Sequence, residues 1–363
     1  MKKIIINHVN EDIYFEKLDN GMEVYLYVNK SMHNNYVTFT TKYGSVNNEF
    51  GLGKDGKFYK VPNGIAHFLE HKVFVQENDP QPEDYFAQSG GICNAYTTFK
   101  NTTYLFSSCD NVYNNVSFLL DFVQNLYLTE ENVESEKGII TQEINMCNDR
   151  PGDLLYDTVR KNTIKVNPFK ESIIGTVDEI NSIDKDMLYT CYNTFYHPEN
   201  MFLVITGNFN PDVAVGIVKE NQAKKNFSKY LAPVKKFDKE PMGVNEEYLE
   251  IEANVEIPKV KISYKMPMSL FSYDKRLLNI YLSIILRNNF GATSYLREEL
   301  LEKELVVGIG ANRDIFNDVV TIDINIETKY PSEVIPIVKE KMKNLVLNED
   351  DLKRRIRCNI AAL

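Results

Sequence analysis

The sequence predicts an α+β protein of two related domains. Three observations carry this. Short runs alternate with period two, as in Met22, Val24, Leu26 and Val28, and again across Val319–Ile326; that is the pattern of half-buried strands. Longer runs repeat at helical spacing, as in Val112, Val116, Leu119, Leu120 and Val123, and the two kinds are arranged with hairpins rather than in strict βαβ alternation. Finally, the order strand–helix–helix–strand–helix in the second half partly repeats the first, and 363 residues suit two domains.

In chain order, residues 13–29 read as a hairpin turning at Asp19-Asn20-Gly21, and Val37–Tyr43 as a strand ending at Gly44-Ser45. The Gly-, Asn- and Lys-rich segment 47–61 reads as loop. A helix starts near Pro62-Asn63, with both residues as start signals. Pro82–Gln88 is a helix stopped by Gly90-Gly91, and Ile92–Ser107 gives strand-like segments. Helices follow at 112–127, 131–148, 153–164 and 185–195, then a buried strand at Met201–Gly207. Pro233, Lys235, Lys236, Lys239 and Pro241 break the periodicity and mark a linker within 228–247. Domains are therefore expected at 1–235 and 245–363. The second contains strands at 260–265 and 319–326 and helices at 274–288, 294–304 and 331–347. Asn348 followed by Glu349, Asp350 and Asp351 reads as a capped start for a last helix, which runs to Leu363 without a stop signal and leaves the second domain apparently incomplete.

Apolar residues make up 43% and charged residues 25% of the chain, which excludes a disordered polyelectrolyte and allows a sizeable core. A net charge of −10 without a long basic run argues against nucleic acid as partner. The N-terminus is too short in apolar residues for a secretion signal, and no stretch approaches a membrane span. Five scattered Cys without C-x-x-C spacing read as reduced thiols, so a cytoplasmic protein is expected.

The chemistry concentrates in Gly64–Phe74, which contains His67, Glu70 and His71 as H-x-x-E-H. Four residues apart on a helix, the two His lie one turn apart on the same side and can hold one zinc ion. Glu70 can reach the space over that face and take a proton from water there. The flanking Ile65, Ala66, Phe68, Leu69, Val73 and Phe74 are apolar around most of the helix, so the polar cluster should be buried and needs a partner. Zinc in hydrolases commonly has three protein ligands. The helix 131–148 offers Glu136 and Glu143, seven apart on one face and about 10 Å apart along the axis. One could bind the ion and the other orient a ligand; spacing alone does not choose between them.

Glu136-Lys137-Gly138-Ile139-Ile140-Thr141-Gln142-Glu143 begins 65 residues after His71. With the His motif, it resembles the E-K-G-(two apolar)-x-(Q/R)-E signature of the pitrilysin/insulinase/mitochondrial-processing-peptidase family, the inverted zincins. Leu18-Asp19-Asn20-Gly21-Met22-Glu23-Val24 matches the family's L-x-N-G-x-x-V. Asn94-Ala95-Tyr96-Thr97 with Thr102 and Tyr104 matches its N-A-x-T-x-x-x-x-T-x-Y strand. Gly175-Thr176, Ile180, Tyr196, Pro198 and Asn200 match a further stretch, so the likeness runs from about residue 15 to 207.

The resemblance implies two α+β domains, each a mainly antiparallel sheet with helices on one face, with paired copies closing a chamber around the substrate. It implies zinc held by His67, His71 and Glu143, with Glu136 behind them and Glu70 as general base in peptide-bond hydrolysis. Asn94 and Ala95 would pair with the substrate backbone as an added strand, selecting unfolded peptides. Family members often carry an Arg and, seven residues on, a Tyr in the second domain that anchor substrate. Here Arg297 is present, but Glu304 stands at the Tyr position. The expected arrangement is thus a heterodimer, in which a homologous partner chain supplies the anchoring pair. The alternative is a non-catalytic structural subunit. A metal-free binding module would require the motif to be accidental.

Overall fold

The structure, a computed structural model, describes residues 1–6, 9–53, 56–235, 237–347 and 349–361. It divides into two compact units, Met1–Met146 with Glu171–Lys236, and Cys147–Lys170 with Phe237–Leu363. The sequence reading kept 1–235 together. The structure instead assigns Cys147–Lys170 to the second unit, because the helix in that segment packs on the second unit's sheet.

Strands β1 (Lys2–Ile6), β2 (Val9–Lys17), β3 (Glu23–Val28) and β4 (Asn35–Thr41) open the chain. The β2–β3 hairpin turns at Asp19-Asn20-Gly21, where Gly21 takes φ +88°, a value a side chain would resist. Two short strands follow, β5 (Glu49–Leu52) and β6 (Phe58–Lys60). Then come α1 (Ile65–Val73), α2 (Pro82–Gln88), β7 (Ile92–Thr97), β8 (Thr102–Ser108), α3 (Val112–Val123), α4 (Glu130–Asn148) and α5 (Pro151–Thr163). The first unit resumes with α6 (Val177–Asn181), α7 (Lys185–Phe195), β9 (Met201–Gly207), α8 (Pro211–Ala223) and β10 (Pro233–Lys235).

The main sheet of the first unit has seven strands in the order β1-β2-β3-β9-β4-β8-β7, antiparallel except for the β3–β9 pair. Alternate residues of the inner strands (Val24, Leu26, Val37, Phe39, Tyr104, Phe106, Leu203 and Ile205) point to one face. There they pack against α1, α3, α7 and α8 through Phe68, Leu69, Leu119, Leu188 and Val218, among others. β7 ends the sheet, so one of its edges is open among the described residues. Within 47–61, expected as loop, β5 and β6 instead form two strands of a three-stranded ribbon, β10-β5-β6. The expected linker contributes β10 to it. These strands are too short to show a period.

The second unit holds β11 (Lys259–Pro267), α9 (Lys275–Phe290), α10 (Tyr295–Glu302), β12 (Gly308–Phe316), β13 (Val319–Glu327), α11 (Pro331–Lys343) and α12 (Glu349–Ala361). Its sheet is antiparallel, in the order β11-β13-β12. One face buries Ile322, Ile324 and Ile326 against Leu286, Phe290, Leu296, Leu300, Val334 and Val338. The other carries Lys261, Ser263, Thr321 and Asp323, bordered by Tyr156 and Arg160 of α5. Glu240, within the expected linker, is buried. Its carboxylate accepts from the amides of Lys165 (2.7 Å), Val166 (3.1 Å) and Asn167 (2.8 Å) and from Lys265 Nζ (2.7 Å). Asn348, the expected cap of the last helix, lies outside the described residues. No helix among the described residues is long and apolar enough to cross a membrane.

Candidate metal centre

Helix α1 is short and almost wholly buried, so its start must be fixed by its surroundings. Gly64 at its N-cap adopts φ +85°, and a Cβ there would lie 2.5 Å from the Ile174 carbonyl oxygen. Only glycine fits that conformation and that approach. Asn63 does not cap the helix as the sequence suggested. Its side chain donates to Glu179 (2.5 Å) and accepts from Asn48 (2.6 Å). Glu179 in turn closes a reciprocal cap with Thr176 at the start of α6. The Gly175-Thr176 stretch thus buttresses the entry to α1.

From α1, His67 and Glu70 are buried and His71 partly so. The imidazoles lie 4.5 Å apart between centroids. Helix α4 is anchored by buried Val133, Ile140 and Ile144, which places Glu136 and Glu143 two turns apart toward α1. Glu143 Oε2 lies 3.7 Å from both His67 Nε2 and His71 Nε2. Glu136 Oε1 meets His71 Nδ1 at 2.9 Å, and its other oxygen takes a 3.2 Å hydrogen bond from Lys72 Nζ. Lys72 is itself buried and also donates to the Asn132 carbonyl (2.9 Å). The structure therefore gives the two acids different surroundings, a distinction that residue spacing left open. Glu143 faces both Nε2 atoms, while Glu136 sits behind His71.

The electrostatics follow from burial and these contacts. Burial, and then the neighbouring His71, push His67 down to about 3, so this ring is neutral at ordinary pH. Burial also opposes charge on His71, but the Glu136 hydrogen bond and the surrounding carboxylates outweigh it and raise its pKa. Glu136 is held below the usual carboxylate range, because His71 and Lys72 overcome its own desolvation. Burial raises Glu70, opposed by the Thr97 hydroxyl, which donates to Glu70 Oε2 at 2.6 Å. The Glu136 contact favours a proton on His71 Nδ1, which leaves the Nε2 lone pair turned toward Glu143.

His67, His71 and Glu143 each offer one ligand atom, all within 4.8 Å of one another. Tetrahedral zinc with bonds of about 2.1 Å wants donors about 3.4 Å apart. The 3.7 Å separations are close to that, and two imidazole nitrogens with one carboxylate are a suitable donor set. The residues present fit zinc.

Of the other residues singled out by the sequence, Asn94 and Ala95 lie on the edge strand β7, opposite Leu105 and Tyr104 of β8. Asn94 is exposed, and its side chain accepts from the Ala95 amide (2.8 Å). Arg297 lies in the first turn of α10 and donates from Nη1 to the Ala292 carbonyl (3.1 Å). Glu304 sits past the end of that helix with φ +54°. Sequence reasoning gave no role to Lys72 or Thr97. The signal for Thr97 was present as the third matched position of the Asn94-Ala95 strand.

Residues 56–177 match the family described as Insulinase (Peptidase family M16), and residues 182–357 match the Peptidase M16 inactive domain. The "Uncharacterized zinc protease YmfH" of Bacillus subtilis is 44% identical over 306 residues, covering 84% of this chain and 71% of that protein. The chain belongs to peptidase family M16. Among solved M16 structures, an M16-like peptidase from Alicyclobacillus acidocaldarius superposes with a TM-score of 0.91 at 33% identity, covering 99% of this chain and 86% of that one. A more distant M16 relative, the mitochondrial-processing peptidase subunit beta of Caenorhabditis elegans, is 29% identical over 209 residues. That match spans 56% of this chain and 43% of the worm protein.

Proposed function

We propose that this M16 chain is a zinc-dependent endopeptidase that hydrolyses unfolded peptides. The observation that carries the reading is that Glu143 Oε2 faces both His67 Nε2 and His71 Nε2, while the buried carboxylate of Glu70 on the same helix as the two His feels the charges of His71 and Glu143. His67, His71 and Glu143 would hold the ion, and bound zinc would supply Lewis-acid polarisation of water and of the scissile carbonyl. Glu136 fixes the His71 ring and its tautomer, and Lys72 balances the charge of Glu136. Glu70, with its pKa raised by burial, takes a proton from the attacking water and returns it to the leaving amine. The open edge of β7 at Asn94 and Ala95 would receive the peptide backbone as an added strand, largely independent of its side chains.

Arg297 is tied to its own loop and Glu304 takes the position of the expected Tyr. We therefore assign the missing substrate anchor to a homologous partner chain, paired with this one around a chamber in the cytoplasm. Full peptidase activity from the purified chain alone, as a homodimer, would count against that pairing.

The test is elemental zinc analysis combined with cleavage of a quenched peptide. About one zinc per chain is expected, reduced in Glu143→Gln. In Glu70→Gln zinc should remain while cleavage falls at least about a hundredfold. A folded protein that takes up no zinc would leave the non-catalytic subunit as the remaining reading.

A further inference from the structure

We propose that Thr97 is a positioning residue, whose hydroxyl locks the orientation of Glu70 to the strand that carries Asn94 and Ala95. This rests on the peptidase reading above and goes beyond it. A glutamate has three side-chain torsions, and burial alone does not aim its carboxylate. In this chain Thr97 Oγ1 lies 2.6 Å from Glu70 Oε2, and a hydroxyl facing a carboxylate donates to it. Among the described residues, no other side chain is shown hydrogen-bonded to Glu70. The Thr97 backbone amide acts on the same carboxylate, so this one residue meets Glu70 through both its hydroxyl and its main chain.

Thr97 is itself well fixed. Its β-branched side chain has few rotamers. Its backbone is paired with Thr102 in the β7–β8 ladder. The Thr102 hydroxyl lies 3.3 Å from that of Thr97 and donates to the Tyr43 carbonyl at 3.0 Å. Thr97 follows Ala95 by two residues, so both side chains leave the strand on the same side. One strand therefore offers its open edge to a peptide and, two residues on, holds the base. A displacement of β7 moves both together, so a peptide laid on the strand is in register with the carboxylate that serves it.

The test compares Thr97→Val, which keeps the shape and removes the hydroxyl, with Thr97→Ser, which keeps the hydroxyl, in the full zinc-loaded chain. In Thr97→Val kcat should fall about ten- to a hundredfold with KM within about twofold, since small misplacements of a reacting group cost on that order. Zinc per chain should be unchanged, and Thr97→Ser should recover kcat to within about threefold of wild type. Thr97→Ala replaces Thr97→Val if the latter does not fold. Unchanged kcat in the hydroxyl-free variant, a loss that Ser does not rescue, or a loss that tracks zinc content would each overturn the proposal. A zinc-loaded wild type that cleaves no peptide is instead a failure of the peptidase reading. The positioning claim is then decided by a crystal structure of Thr97→Val. A reoriented Glu70 carboxylate supports the claim, and an unmoved one refutes it.

Discussion

Glu136 meets neither Nε2 atom that Glu143 faces, yet it contacts His71 Nδ1 and Lys72 Nζ at once. Removing its charge weakens the hydrogen bond that holds the His71 ring and leaves the buried Lys72 ammonium without its carboxylate. Glu136→Gln should weaken zinc binding about 10- to 100-fold, read by competition with a chromophoric chelator. Unchanged affinity would show that the His71 ring is held by packing alone. At this scale the sequence was legible where the chemistry is local. His67, Glu70 and His71 announce themselves because a helix brings residues three and four apart together. Glu136 and Glu143 were legible as a pair but not in their separate surroundings, since a shared helix face does not say which turn lies against which ring. Lys72 was silent, and Thr97 was legible as a matched strand position but not as a partner of Glu70, because their partners are 64 and 27 residues away in the chain.

Among the elements, α1 depends on what precedes it. Gly64→Ala would force φ +85° on a residue with a Cβ and drive that Cβ into the Ile174 carbonyl. A loss of about 2 kcal/mol or more is expected in urea unfolding, with zinc content falling as the helix start shifts. Retained stability would mean that the turn relaxes without strain. Most helices and strands with a strong period were readable in advance, including α4, β9 and β13. Three kinds were not. β12 reads Gly-Ile-Gly-Ala-Asn-Arg-Asp-Ile-Phe, with little alternation, and is held as a strand by its full register with β13. The β5-β6-β10 ribbon uses three- and four-residue strands, stabilised by pairing across the chain rather than by propensity. α8 has a mixed apolar pattern interrupted by Gly216, yet its start was written plainly. Asn210 accepts from the amides of Asp212 and Val213, and Pro211 takes the first helical position.

For the molecule as a whole, the α+β class and the two-unit division followed from pattern and length, whereas the excursion of Cys147–Lys170 into the second unit did not. Beside the packing of its helix on the sheet, its attachment uses Glu240, which lies within the expected linker. Burial raises the Glu240 pKa, but the Lys265 ammonium and the amides of residues 165, 167 and 166 overcome that, so it lies below the ordinary value of 4.5. A carboxyl with a depressed folded-state pKa contributes stability that is fully present above its unfolded value. That stability is lost as pH falls through the folded value. Thermal stability should therefore fall below about pH 4.5, less steeply in Glu240→Gln. Lys265→Ala, which strands the buried carboxylate, should cost about 3–5 kcal/mol at neutral pH. A cost near zero would mean that the three amides suffice to hold Glu240.

The position of β9 has a consequence for how the chain acquires its structure in time. β3 and β4 are close in sequence, yet they lie on either side of a strand that begins at Met201. Until that strand is available, each has an open hydrogen-bonding edge beside a large apolar surface. The residues of the candidate metal centre, all made by position 143, must wait for a segment almost sixty residues downstream before the sheet beneath them closes. On the ribosome such an intermediate is exposed to mispairing, and its long-range closure makes folding slow. A chain ended just before Met201 should remain unfolded or aggregate, even though it contains every candidate zinc ligand. Holdase chaperones that shield open strand edges should raise the yield of the full chain more than they change its final stability.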